Sequence, residues 1–303
     1  MALLVDTGTS GDYDVAMRNR RVFIFGLIVL CAASVGVVLA GCASTEARKA
    51  KDARVGPDAG TGSPTAAASQ LREAVRQAPD DVALRYKLGN ALFDSGNYPE
   101  AAAEYRKVLE LNPKHASALT NLGLCMKRLG RLDDAIEAYR AALAVEPNDA
   151  ITLRNLVFAL EAKGNARQAV DAMKRLVELV PDDVRALADL AAGLFDLGEY
   201  GDAAEVYKRI IELDPGVPGD YYDLGLCYFS LEDWDQTLAA WTTALSLDPK
   251  YAKAVKGLSV VYWKQGNYDR AWEAVAKCRR LGLALDAEFI TALQEGSGRL
   301  GPE

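Results

Sequence analysis

From residue 82 onward, apolar side chains recur at helical spacing in blocks separated by short polar turns. The stretch "YKLGNALFDSGNYPEAAAEYRKVLELNP" shows the pattern: an apolar-periodic helix, a Gly-Asn break, and a second such helix ending before proline. Pro79, Pro113, Pro147, Pro181, Pro215 and Pro249 stand at equal intervals of 34 residues, with flanks such as "LELNP", "IELDP" and "LSLDP". The period predicts six helix–turn–helix units: 82–115, 116–149, 150–183, 184–217, 218–251 and 252–285. Residues 66–81 read as an incomplete leading unit, with a helix over 66–78. Residues 286–295, "DAEFITALQE", read as a terminal helix covering the last unit with Phe289 and Leu293. The tail "GSGRLGPE" is expected to be disordered, and "GVPGD" delays the first helix of the fifth unit to near Asp220.

Within each unit, certain positions hold particular sizes. Position 8 is small at Gly89, Gly123 and Gly225, with Ala191 and Ser259 as substitutes and Val157 as a departure. Position 20 is Ala101, Ala135, Ala169, Ala203 and Ala271, with Thr237 departing. Large side chains at positions 7 and 24, such as Leu122 and Tyr139, fill the space between. This grammar resembles the tetratricopeptide repeat. The resemblance implies an all-α solenoid in which stacking buries one continuous core, so that no unit is stable alone.

The other apolar run lies near the start. Residues 22–41, "VFIFGLIVLCAASVGVVLAG", contain no charge, and Arg18, Arg20 and Arg21 precede them. Twenty such residues are long enough to span a bilayer, so a retained anchor and a cleaved signal both fit. Leu39, Ala40, Gly41 and Cys42 resemble the lipobox of bacterial lipoproteins. That resemblance implies that residues 1–41 are removed and that Cys42 becomes a lipidated first residue. Multiple acyl chains hold a protein to a membrane where one is marginal. The ordinary start of such a signal would be Met17, and "NRRVFIF" also resembles a twin-arginine export signal. After Cys42, residues 42–65 carry almost no large apolar side chain and read as a flexible tether reaching roughly 25–30 Å.

Charge and chemistry narrow the function. The net charge is −7, and residues 1–41 contribute three aspartates against three arginines, so their loss leaves −7. An acidic surface disfavours phosphate backbones, so no nucleic-acid partner is expected. Cys31, Cys42, Cys125, Cys227 and Cys278 form no CxxC pair; Cys125 and Cys227, at a small-residue helix position, read as buried hydrophobes. His115 is the single histidine and reads as an exposed loop residue. Acid pairs such as Asp133-Asp134 stand at helix starts, where they complement the dipole. No phosphate loop or nucleophile elbow is present. The reading is therefore a non-enzyme with no metal and no cofactor.

The resemblance also implies a site. In tetratricopeptide proteins the first helix of each unit lines a concave groove through positions 2, 5, 6, 9, 12 and 13. Carried onto this chain, the groove holds Tyr86, Asn90 and Phe93, then Asn121, Leu124 and Lys127. Arg154, Asn155 and Phe158 follow, then Asp189, Phe195 and Asp196. Tyr222, Asp223, Leu226 and Phe229 come next, and Lys253, Lys256 and Trp263 complete it. The aromatic members would form a wet stripe suited to a peptide or partner helix, unless they pack against the next helix. Acidic residues in the middle and lysines at the end imply a polar ligand of opposite charge order. Chaperone-tail-binding members use a two-carboxylate clamp, whose positions here hold Tyr86, Asn90, Asn121, Ile151 and Asn155. Only the asparagines match, so that function is not expected. A lipidated chain of about six such units resembles the pilotins of type IV pilus secretins. This implies an outer-membrane location and a secretin subunit as partner. An adaptor for peptidoglycan hydrolases or other envelope machinery is the alternative, and a factor in sugar-polymer export is a third reading.

Overall fold

The computed structural model describes residues 64–301, which form α-helices joined by short turns, with no strand among them. The expected signal segment, Cys42 and nearly all of the tether lie outside the described residues. Helix α1 (Pro64–Gln77) is the single helix of the incomplete leading unit. Pairs follow: α2 (Val82–Asp94) with α3 (Tyr98–Leu111), α4 (Ala116–Arg128) with α5 (Leu132–Val145), and α6 (Ala150–Ala162) with α7 (Ala166–Leu179). The remaining pairs are α8 (Val184–Asp196) with α9 (Tyr200–Leu213), α10 (Pro218–Ser230) with α11 (Trp234–Leu247), and α12 (Ala252–Lys264) with α13 (Tyr268–Arg280). Helix α14 (Ala287–Ser297) comes last.

Two compact bodies contain these helices, residues 64–254 and 255–301. In the first, the two helices of each unit pack together, and each second helix also packs on the first helix of the next unit. Apolar surface is thereby shared along one core instead of being closed within a unit. In the second body, Phe289 and Leu293 of α14 bury against Ala271, Trp272 and Val275 of α13, so α14 covers that helix as its sequence predicts.

The small positions are explained by what faces them. A methyl group on Gly123 would stand 2.5 Å from the Tyr139 ring, and one on Gly89 would stand 2.7 Å from that of Tyr105. Gly225 faces Trp241 in the same way. Where position 8 carries Val157, position 24 holds Met173 in place of a ring, and both are buried. Total volume is kept while its distribution changes, which cores tolerate well. Thr237, the departure at position 20, is buried and donates its hydroxyl to the Asp233 carbonyl at 2.7 Å. The turns inside the units place Gly96, Gly130, Gly164 and Gly198 at φ between 75° and 80°. The fifth unit puts Glu232 there, at φ 59°, a conformation that disfavours a side chain.

Two expectations are corrected. Helix α10 begins at Pro218, in register with the other units, and not near Asp220. Proline suits the first helical turn because its missing N–H has no intrahelical partner there. The described part of the tail is ordered against α13 and α14. Gly298 ends α14 in the left-handed conformation, Trp272 Nε1 donates to Ser297 Oγ at 3.1 Å, and Gln294 donates to the Leu300 carbonyl at 2.9 Å. The side chain of Arg299 also pairs with Asp269.

Candidate functional site

In the first body, the first helices of successive units lie side by side, as their cross-contacts show. Asn121 on α4 donates to the Tyr86 hydroxyl at 3.1 Å and to Asn90 Oδ1 at 3.2 Å, both on α2. Thr120 on α4 meets Thr152 on α6 at 2.6 Å. Lys127 on α4 sits 5.1 Å above the Phe158 ring of α6. The expected binding residues of this body thus share one run of helices.

They do not all face outward. Asn90, Asn121, Leu124, Asn155 and Tyr222 are buried, which corrects their assignment to a wet surface. The asparagines fill a need of the stack itself. A buried amide must keep its hydrogen bonds, and Asn90 Oδ1 accepts both from Asn121 and from the Tyr105 hydroxyl, at 2.7 Å. The asparagines that matched the chaperone-tail clamp are therefore interior groups. Leu124 belongs to the main core. Tyr222 stacks on Trp241 with centroids 5.5 Å apart, and its carbonyl accepts from Trp241 Nε1 at 3.0 Å. Lys253 lies 5.7 Å over the Tyr222 ring.

Tyr86, Phe93, Phe158, Phe195 and Phe229 remain half-exposed. Each also touches a neighbour: Phe93 meets Tyr98 edge-on at 5.2 Å, Phe195 meets Tyr200 at 5.0 Å, and Phe229 meets Trp234 at 5.3 Å. One edge of the Phe93, Phe195 and Phe229 rings is thus fixed against its own unit while the rest stays accessible, whereas Phe158 lies under Lys127 of the preceding unit. Arg154, Asp189, Asp223 and Lys253 are half-buried on the same helices. Lys256 and Trp263 lie in the second body, where Trp263 meets Phe289 edge-on at 6.0 Å and Lys264 lies 5.0 Å over the Trp263 ring.

Two kinds of carboxylate occur along this run. Asp183 caps α8, accepting from the amides of Arg185 and Ala186, and pairs with Arg154 at 2.8 Å. Burial pushes its carboxyl up, but the Arg154 bond and the two amides outweigh this and hold it below its ordinary value. Glu161 and Asp196 behave oppositely. Both side chains are exposed, yet partial desolvation by the surrounding helices, then the charges of Asp189 and Asp196, push the Glu161 carboxyl up, and partial desolvation does the same to Asp196. Glu161 occupies position 12 of its unit, where Phe93, Lys127, Phe195, Phe229 and Trp263 stand in the other units, so the repeat register marks it although the aromatic stripe passes it over.

His115 is not a loop bystander. It is half-buried, its Nδ1 caps α4 by accepting from Ala118 N at 3.3 Å, and its ring lies 4.8 Å from that of Tyr86. Aspartates 81, 149 and 183 hold the equivalent capping place in other units. Cys125, Cys227 and Cys278 are buried, as their positions imply. Burial pushes the Cys125 and Cys227 thiols up to about 12, with Asp223 adding to the effect at Cys227. Such thiols carry little of the reactive thiolate at neutral pH.

Comparison with known proteins agrees with this architecture. Among solved structures, YrrB, described as a TPR protein with an unusual peptide-binding site, has a TM-score of 0.52 at 22% identity, covering 62% of this chain and 96% of its own. The C-terminal part of a TPR repeat-containing protein from Cytophaga hutchinsonii has a TM-score of 0.57 at 14% identity, covering 76% and 94%. No curated protein matches the sequence. The tetratricopeptide repeat family matches residues 59–109, 86–150, 156–218 and 222–281, more than half of the chain. With a period of 34 in the sequence and paired helices to match it, the chain belongs to the tetratricopeptide repeat family.

Proposed function

We propose that this protein is a membrane-anchored scaffold that captures a partner protein or peptide on its first helices, with a secretin subunit of a type IV pilus as that partner. The capture reading rests on one observation: half-exposed Phe158, Phe195 and Phe229 on first helices of successive units, with Phe195 and Phe229 each braced at one edge by a ring of their own unit and Phe158 lying under Lys127 of the preceding unit. Aromatic anchors held in this way lose little conformational freedom on binding. The anchor reading is supported by Leu39–Ala40–Gly41–Cys42 behind an uncharged run and three arginines. The secretin reading is supported by the pairing of that signal with six repeat units.

In-cell crosslinking, purification and mass spectrometry test the partner. A secretin should be enriched, and Phe158→Ala with Phe195→Ala should abolish the enrichment while lowering stability by only about 1–2 kcal/mol for the two half-buried rings. Enrichment of peptidoglycan enzymes without a secretin would overturn the pilotin role. Unfolding of the double variant would show that the rings are core. Cys42→Ala should leave an unlipidated, uncleaved precursor, and normal processing would refute the lipobox.

A further inference from the structure

The side chains of Glu161 and Asp196 make no hydrogen bond or ion pair among the described residues. Cations are present nearby in the chain but are committed elsewhere. Arg154 pairs with Asp183, Lys163 with Asp133, and Arg167 and Lys174 with Glu199. Glu161 at the end of α6 feels Asp189 and Asp196 of α8, so three carboxylates of two adjacent first helices share one field. Beside them stand the half-exposed rings of Phe158 and Phe195, with small, exposed Ala162 and Ala192 leaving room around them. Lys127 of α4 borders the face over the Phe158 ring, and Glu161 and Asp196 themselves make no ion pair, so the α8 side of the face, with Phe195, is negative in its charge.

We propose that the α6–α8 face takes a basic segment of a partner protein, in which lysine or arginine reaches Glu161 and Asp196 while an apolar side chain lies against Phe158 or Phe195. The inference rests on the capture reading above and adds the chemistry of what is captured. Charge complementarity selects the occupant. A cation brought to this face meets carboxylates whose repulsion it relieves, whereas an acidic segment would add to it. An uncharged apolar segment would leave the acids partly desolvated and unpaired. Asp189 contributes to the field whatever its own local partners.

The test uses the full chain in detergent and a fluorescein-labelled peptide alternating lysine with leucine, read by anisotropy at low salt. The lysine peptide should bind, and the same peptide with glutamate for lysine should not. Glu161→Gln with Asp196→Asn should weaken binding about five- to tenfold, an effect that shrinks as salt rises. A control with the same change in charge, Glu110→Gln with Glu205→Gln on second helices, should leave affinity within about twofold. Equal binding of the glutamate peptide, or equal weakening in the control, would overturn a local basic-segment site. Binding that appears only after Arg48, Lys49, Lys51 and Arg54 are replaced by glutamine would assign the face to the chain's own linker and overturn an external partner. Partner capture lost in the phenylalanine pair but kept in Glu161→Gln with Asp196→Asn would leave the scaffold reading standing and refute the basic ligand. Capture kept in both would refute both.

Discussion

Position 6 of the repeat is Asn121 in the second unit, Asn155 in the third, Asp189 in the fourth and Asp223 in the fifth. The side chains differ by little more than NH₂ against O⁻, yet the two asparagines are fully buried and the two aspartates keep solvent access. An amide can donate and accept, so Asn121 closes a network with Tyr86 and Asn90 inside the stack. A carboxylate only accepts, and its charge resists removal from water. The second unit therefore uses this position to join neighbouring helices, and the fourth and fifth units use it to give a surface its charge. One repeat geometry supports both uses because position 6 stands at the edge of the core.

Exchanging the two residues breaks the comparison most severely. Asn121→Asp places an uncompensated charge where no solvent reaches and should destabilise the fold by about 3–5 kcal/mol, measured by urea denaturation at neutral pH. The reciprocal Asp189→Asn should change stability by less than about 1 kcal/mol. Similar effects for the two would remove the distinction drawn between them.

A second contrast concerns volume. In the second unit Gly123 faces Tyr139, whereas in the third Val157 belongs to a unit that carries Met173 at the ring's position. Gly123→Ala should cost about 1–3 kcal/mol by overpacking. Adding Tyr139→Met should recover more than half of that loss, because it recreates the balance of the third unit. Failure of the second substitution to rescue would mean that backbone approach, and not ring volume, requires the glycine.

The smallest effect separates the two kinds of carboxylate. Glu161 binds its proton more tightly folded than at its ordinary value of 4.5, so its region gains stability as pH falls through the raised value and loses it as pH rises. Asp183, held below its ordinary 3.8, contributes stability above that value, and this is lost as pH falls further. Glu161→Gln should therefore raise stability slightly at pH 7, by below about 0.5 kcal/mol, and remove its share of the slope just above the ordinary glutamate range. Scanning calorimetry across pH would detect the change. A loss of stability at pH 7 would show that Glu161 has a stabilising partner.

The repeat made most of the fold legible before any coordinate. Pairs such as Gly123 and Tyr139 encode a contact between two helices separated by a short turn, and such local rules survive in sequence as a period. The candidate site was less legible. The register placed Asn90, Asn121, Leu124, Asn155 and Tyr222 on the binding side, but it could not distinguish a side chain pointing along that face from one turned into the seam between helices. Trp241 decides the matter for Tyr222, and Tyr105 with Asn90 decides it for Asn121. His115 was misjudged for a similar reason, since a capping role depends on the Ala118 amide facing it.

What the sequence determined by itself was the unit: its length, its two helices, its small-and-large pairing and the overall acidity of the chain. These follow from contacts between residues near one another in the chain, where spacing fixes geometry. What only the tertiary structure decided was which polar groups are interior and which carboxylates lack a cation. Both depend on residues about thirty positions apart acting on one another across adjacent helices, as Asn121 donates to Asn90 and the charge of Asp189 pushes the Glu161 carboxyl up. Burial and charge at those seams come from packing between units, and a repeating pattern shows that units stack without showing which side chain each seam encloses.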